Sequence, residues 1–127
     1  MGGDGWPSEI LIQMAKDAVH GSYVVNHLDF DDPEVQDFKT RYTAKYKRAV
    51  ELNGFLAHDA FMMFVDAAKR ANSLNPVAIR DALESTSIEG ITGRIRINPA
   101  THNPEGKEAA IIRIMDGNYV FQQKYAP

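Results

Sequence analysis

Cysteine is absent from the 127 residues, which excludes disulfides and thiolate chemistry and leaves the redox compartment open. Long apolar runs are absent too. Stretches such as Phe61 to Val65 fall far short of the ~20 residues that a membrane-spanning helix needs. No basic stripe exists: 14 Lys and Arg are interspersed with 17 acids for a net charge of -3, so a nucleic-acid partner is not expected. The N-terminus has no basic region followed by an apolar core, so no signal peptide is visible in this chain. Internal repeats and low-complexity tracts are likewise missing.

Chemistry-bearing constellations are equally sparse. His20, His27, His58 and His102 have no metal-ligand spacing, and no metal or cofactor is expected. His58 and Asp59 are neighbours on a helix pattern and point about 100° apart, which argues against a catalytic pair. Ser8 lacks a nucleophile-elbow context. Gly2-Gly3-Asp4-Gly5 lacks the lysine and hydroxyl residue of a phosphate loop. No catalytic residue is expected, and none of these patterns points to an enzyme.

Hydrophobic residues at 44% and charged residues at 24% suit an ordinary globular core. The Gly-rich start reads as a loop. A first helix is predicted from about Pro7 to Val19, with Ile10, Leu11, Met14, Ala15 and Ala18 on its inner face, and Gly21 as its stop. Ser22 to His27 reads as a strand. Asp32-Pro33-Glu34 combines cap, proline and first-turn carboxylate. It opens a helix to about Lys47 with Val35, Phe38, Tyr42 and Tyr46 as one stripe. A long helix follows from Phe55 to Asn72, with Phe64, Ala67 and Ala71 inward. Asn75-Pro76 opens a shorter one to Ser85. The Phe38, Tyr42, Tyr46 stripe and the Met62, Met63 pair read as core. Thr92 to Ile97 alternates as a strand, and Ala109 to Met115 and Tyr119 to Tyr125 flank the hairpin signal Asp116-Gly117-Asn118. By pattern the class is α/β or α+β.

The order of these motifs resembles the C-terminal portion of type I periplasmic solute-binding proteins of the branched-chain amino-acid-binding type. Gly2-Gly3-Asp4-Gly5-Trp6, a helix and the strand to His27 resemble the last βαβ unit of one lobe. Tyr42-Thr43-Ala44-Lys45-Tyr46 resembles the end of the segment returning to the other lobe. Leu56-Ala57-His58-Asp59-Ala60 is similar to the family's "GYDA" helix start, with His58 in place of the tyrosine. Asn75 to Leu83 resembles "P-x-A-I-R-D-A-L", Gly90-Ile91-Thr92-Gly93 resembles "G-[VI]-T-G", and Asp116 to Val120 resembles "D-G-x-[FY]-V".

The resemblance implies an α/β fold of two three-layer α/β/α lobes, with incomplete sheets in this chain. Residues 1–28 would end one lobe, 29–107 would belong to the other, and 108–127 would return to the first as the terminal hairpin. Hinge strands would include His27 to Asp29 and Lys107 to Ala110. Within the loop, Asp4 would hold the α-ammonium of an amino-acid-like ligand, Gly3 would let the backbone approach it, and Trp6 would wall the cleft. Phe55 would face the ligand side chain. The implied partner is the membrane permease of an ABC transporter, and the implied location is periplasmic or extracytoplasmic. A ligand-sensing domain of the same superfamily is the alternative. A second alternative is a non-binding fragment: half-lobes leave apolar faces uncovered, so the isolated chain is expected to bind amino acids poorly and to self-associate as a homo-oligomer.

Overall fold

The computed structural model describes residues 1–126. Local signals account for most helix boundaries. Ser8 Oγ accepts from the Leu11 N–H at 3.1 Å and opens α1 (Glu9–Ala15). Lys16 then takes a φ of 46°, which breaks the helical ladder, and the predicted remainder runs on as a 3-10 turn, Lys16–Val19. The strand that follows is β1 (Tyr23–Asn26). Asp32 Oδ1 accepts from Glu34 N–H at 2.9 Å, and Pro33 begins α2 (Pro33–Tyr46), which ends at the left-handed Lys47. Next is α3 (Leu52–Ala71). Asn75 Oδ1 caps α4 (Pro76–Leu83) by accepting from Val77 and Ala78. The remaining strands are β2 (Ser87–Gly90), β3 (Gly93–Ile97), the two-residue β4 (Pro104–Glu105), β5 (Ala109–Met115) and β6 (Asn118–Tyr125).

The chain divides into two compact units. The first comprises Met1–Leu52 with Glu108–Ala126, and residues 29–52 group here by contact. Its sheet has the order β1-β5-β6, all antiparallel, with Val24 opposite Ile112 and Ile114 opposite Tyr119. Asp116 and Gly117, both at positive φ, make the tight β5–β6 turn. Val19, Val24 and Ile114 form the core, against which Leu11, Ile12, Ala15 and Tyr119 pack. Ile10 and Met14, expected to face inward, are exposed. Ile12 takes the inward place, because the short helix presents 11, 12 and 15 to the sheet.

The opening residues are more than a loop. Gly2 N–H donates to the Tyr23 carbonyl at 2.8 Å, and Val25 N–H donates to the Gly2 carbonyl at 3.1 Å. Gly2 thus pairs in parallel with Val24. Gly2, α1 and β1 form a βαβ unit, whose crossover helix is what parallel pairing requires.

The second unit, Asn53–Lys107, carries most of α3, α4 and a sheet of order β2-β3-β4. β2 has Ile88 as its one large apolar side chain, so its strand character comes from pairing with β3. Ile95 is buried between exposed Arg94 and Arg96, as alternation predicts. α3 buries Phe55, Asp59 and Ala67. Phe64, expected inward, is 46% exposed, and Phe61 and Met62 are exposed with it. Tyr46 of α2 is 52% exposed rather than core. Its stripe is a run of touching rings, with centroids 6.1 Å apart for Phe38–Tyr42 and 4.6 Å for Tyr42–Tyr46. These rings shield one another along a helix whose other residues are mostly polar. α3 is apolar around most of its circumference, and the described residues cover only part of it.

Candidate ligand-binding site

Asp4 lies two residues beyond Gly2, just past the single parallel bridge that Gly2 makes with Val24 of β1. In open α/β sheets, ligands sit outside the carboxyl ends of parallel strands. The Trp6 N–H donates to the Gly3 carbonyl at 3.0 Å and closes the loop into a turn. The Trp6 indole lies over Gly2 so closely that a Cβ there would sit 2.0 Å from a ring carbon. Only glycine permits that approach. Trp6 is 39% exposed, so part of it is held on the backbone and part is open to solvent. Around Gly3 a Cβ would meet nothing within 4 Å, which leaves open space beside the backbone.

The Asp4 carboxylate is exposed and meets His27 Nε2 at 3.0 Å. The hydrogen bond with His27, and then its charge, hold the Asp4 carboxyl below the usual carboxylate range. His27 stands directly after β1, so the contact joins the two segments just beyond the Gly2–Val24 bridge. Beside it, Asn26 is 1% exposed. Its Oδ1 accepts from His27 N–H at 2.8 Å, while its Nδ2 is a buried donor with no partner among the described residues. Buried amide donors are ordinarily satisfied, so this one marks a place where an acceptor belongs.

Tyr119 fixes the other end of the loop. Its hydroxyl accepts from Ser8 N–H at 2.9 Å and donates to the Ser8 carbonyl at 2.9 Å. Burial pushes the Tyr119 phenol up, with the Ser8 contact opposing. Phe55, the fourth candidate, is 0% exposed at the start of α3. In the chain as it stands its ring offers no surface to a solute.

A second polar cluster occupies the other unit. Asp59, 2% exposed, accepts from Ile91 N–H at 2.9 Å, Thr92 N–H at 2.8 Å and the Thr92 hydroxyl at 2.7 Å. Lys107 Nζ donates to the Thr92 hydroxyl at 2.7 Å and to the Thr92 carbonyl. Burial pushes the Asp59 carboxyl up, but the bonds from Thr92, Ile91 and His58 outweigh it and hold the group below the usual range. Burial also pushes the Lys107 ammonium down, against the pull of Asp59. The neighbouring His58 does reach Asp59, at 3.3 Å, despite the angular offset expected of helix neighbours. The carboxylate is nevertheless occupied by the β2–β3 turn and is not free to act as a base. A Cβ on Gly90 would fall 2.6 Å from Asp59 Oδ2, which explains the glycine in that turn. This cluster ties α3 to the turn and is structural.

A polar groove of about 380 Å³ lies in the second unit beside Asp81, Thr86, Arg96 and Pro99, and none of the candidate residues lines it. Among the described residues no group of three or more His, Cys, Asp or Glu could hold a metal ion. No helix there is long and apolar enough to cross a membrane.

A family model described as periplasmic binding protein matches residues 1–118. No curated protein sequence matches the chain. Among solved structures, the chain is similar to a leucine-binding protein from Thermotoga maritima, with 26% identity and a TM-score of 0.83 over 98% of this chain and 36% of that one. It is similar to the branched-chain amino acid transporter substrate-binding protein from Streptococcus pneumoniae, solved with isoleucine, with 26% identity and a TM-score of 0.83 over 99% of this chain and 36% of that one. It shares its fold with an ABC transporter solute-binding protein from R. palustris solved with benzoate, at 22% identity and a TM-score of 0.76 over 99% and 36% of the two chains. The chain therefore spans about a third, 36%, of the length of these relatives.

Proposed function

The chain belongs to the periplasmic binding protein family, and on that premise we propose that it is part of the solute-binding component of an ABC transporter, holding a small amino acid or related carboxylate. The observation that carries this reading is the exposed Asp4 carboxylate just beyond the parallel Gly2–Val24 bridge, in a glycine loop with open space beside Gly3. Asp4 takes the ligand's α-ammonium in a charge-assisted hydrogen bond. Gly3 gives the ligand close access to the backbone, and the free part of Trp6 supplies apolar contact. Phe55 contributes packing at the start of α3. The leucine-binding relative and the relative holding isoleucine support an amine-bearing ligand.

In the whole protein, residues 1–28 and 108–127 belong to one lobe and 29–107 to the other. The lobes close about hinge strands near His27 to Asp29 and Lys107 to Ala110, the motion described for this protein class. The partner is a membrane permease, and the site of action is outside the cytoplasm. Calorimetry on the full-length gene product tests the ligand class with leucine, isoleucine and benzoate. Leucine or isoleucine should bind with micromolar or tighter affinity, and Asp4→Asn should weaken binding at least about tenfold. Binding of benzoate with no heat from either amino acid would overturn the amine reading.

We also propose that the 127-residue chain alone self-associates. Phe61, Phe64, Leu74 and Val77 of the second unit are exposed, and so are Met1, Ile10 and Met14 of the first. Apolar side chains left open to water in each unit favour association. Multi-angle light scattering should find a dimer or larger species at micromolar concentration, and a stable monomer would count against the proposal.

A further inference from the structure

The carboxylate assigned to the ligand is not unoccupied: His27 Nε2 stands 3.0 Å from Asp4 Oδ2. Both side chains are open to solvent, with relative exposures of 37% for His27 and 64% for Asp4. A solute can therefore reach the pair and take one partner from the other. His27 is also anchored at its backbone, where its N–H is held by Asn26 Oδ1 at 2.8 Å. The imidazole is thus presented to Asp4 from a buried, fixed neighbour rather than from a free loop.

Resting on the reading of Asp4 as the ammonium site, we propose that His27 is a competing cation for that site. Protonated, it fills the place of the ligand's ammonium; neutral, it yields that place, so capture of an amine-bearing solute weakens as the medium acidifies. Histidine is the side chain whose ordinary titration falls between pH 5 and 8, which is the range an extracytoplasmic protein meets. Two effects act in the same direction. A charged imidazole must be displaced from Asp4 before an ammonium can enter, and once displaced it remains a nearby like charge.

The other charged groups of this region are engaged elsewhere. Asp29 Oδ1 accepts from Asp31 N–H at 2.9 Å, and Asp32 Oδ1 caps α2 by accepting from Glu34 N–H at 2.9 Å. Lys124 of β6 stands 3.9 Å from Asp32 and 4.0 Å from Glu108. Asp29, Asp31 and Asp32 follow His27 in the chain.

Two measurements test the proposal. In the 127-residue chain, an NMR titration of the Asp4 carboxyl should move upward, toward the ordinary carboxylate range, in His27→Gln; an unchanged titration would show that the pair does not form and would overturn the proposal. In the full-length gene product, leucine affinity measured by calorimetry should fall about fivefold from pH 8 to pH 5.5, the scale of an exposed ion pair. That fall should be lost in His27→Gln, and 4-methylpentanoate, which has leucine's skeleton without the amine, should show no such fall in either protein. An equal fall for leucine in wild type and variant would overturn the role of His27 while leaving Asp4 as the ammonium site. Binding of 4-methylpentanoate with no leucine binding at any pH would overturn both.

Discussion

Asparagine at position 59 removes one negative charge from a buried cluster while keeping the shape of the side chain. Asp59 uses both oxygens: Oδ1 accepts from Ile91 N–H, and Oδ2 accepts from Thr92 N–H and the Thr92 hydroxyl, at 2.7 to 2.9 Å. An amide has one oxygen, so in either orientation its NH2 group faces a backbone N–H. The unpaired donor costs about 1–3 kcal/mol, and the surviving bonds lose their charge assistance. A total loss of about 2–4 kcal/mol is expected for Asp59→Asn, measured by urea unfolding with far-UV circular dichroism at neutral pH. Trp6 fluorescence is the wrong probe, because the single tryptophan lies in the other unit. The sign with pH also follows. The folded carboxyl lies below its ordinary value of 3.8, so its contribution is present above that value and is lost as pH falls through the folded one. The gap between wild type and variant should narrow in acid. A loss under about 0.5 kcal/mol at neutral pH, or a gap that widens in acid, would refute the reasoning.

Three further outcomes are expected. Gly90→Ala places a Cβ 2.6 Å from Asp59 Oδ2 and should cost about 1–3 kcal/mol in the same unfolding assay, with the loss shrinking in an Asp59→Ala background. Phe55→Ala empties the place of a fully buried ring and should cost about 3–5 kcal/mol; a much smaller loss would show that the ring is not core. Tyr119→Phe removes the hydroxyl that binds both Ser8 N–H and the Ser8 carbonyl. It should cost about 1 kcal/mol and raise hydrogen exchange at Ser8, and protection unchanged at Ser8 would contradict the contact.

Local signals carried the helices. Asp32-Pro33 and Asn75-Pro76 contain their own capping oxygens and a proline of fixed φ, so α2 and α4 begin where the residues alone put them. Asp116-Gly117 is legible for the same reason. β2 is not, because Ser87–Gly90 has one large apolar side chain and becomes a strand by pairing with β3. Phe64 departs from the predicted inward face of α3, since apolar residues surround the helix and periodicity does not say which side has neighbours. The site divides in a similar way. Asp4, Gly3 and Trp6 are adjacent in sequence, and the resemblance singled them out. His27 is 23 residues from Asp4, and their contact depends on the parallel pairing of Gly2 with Val24, which composition does not reveal. Asp59 meets Ile91 and Thr92 across 32 and 33 residues. The "GYDA"-like segment Leu56 to Ala60 and the "G-[VI]-T-G"-like segment Gly90 to Gly93 are the available signal, but nothing in either says that the two touch.

A crystal structure of the full-length gene product grown with leucine tests the central claim most directly. The ligand's ammonium should lie within about 2.7–3.2 Å of an Asp4 carboxylate oxygen, with the His27 imidazole moved off that oxygen. Leucine bound elsewhere, with Asp4 still held by His27, would contradict the account.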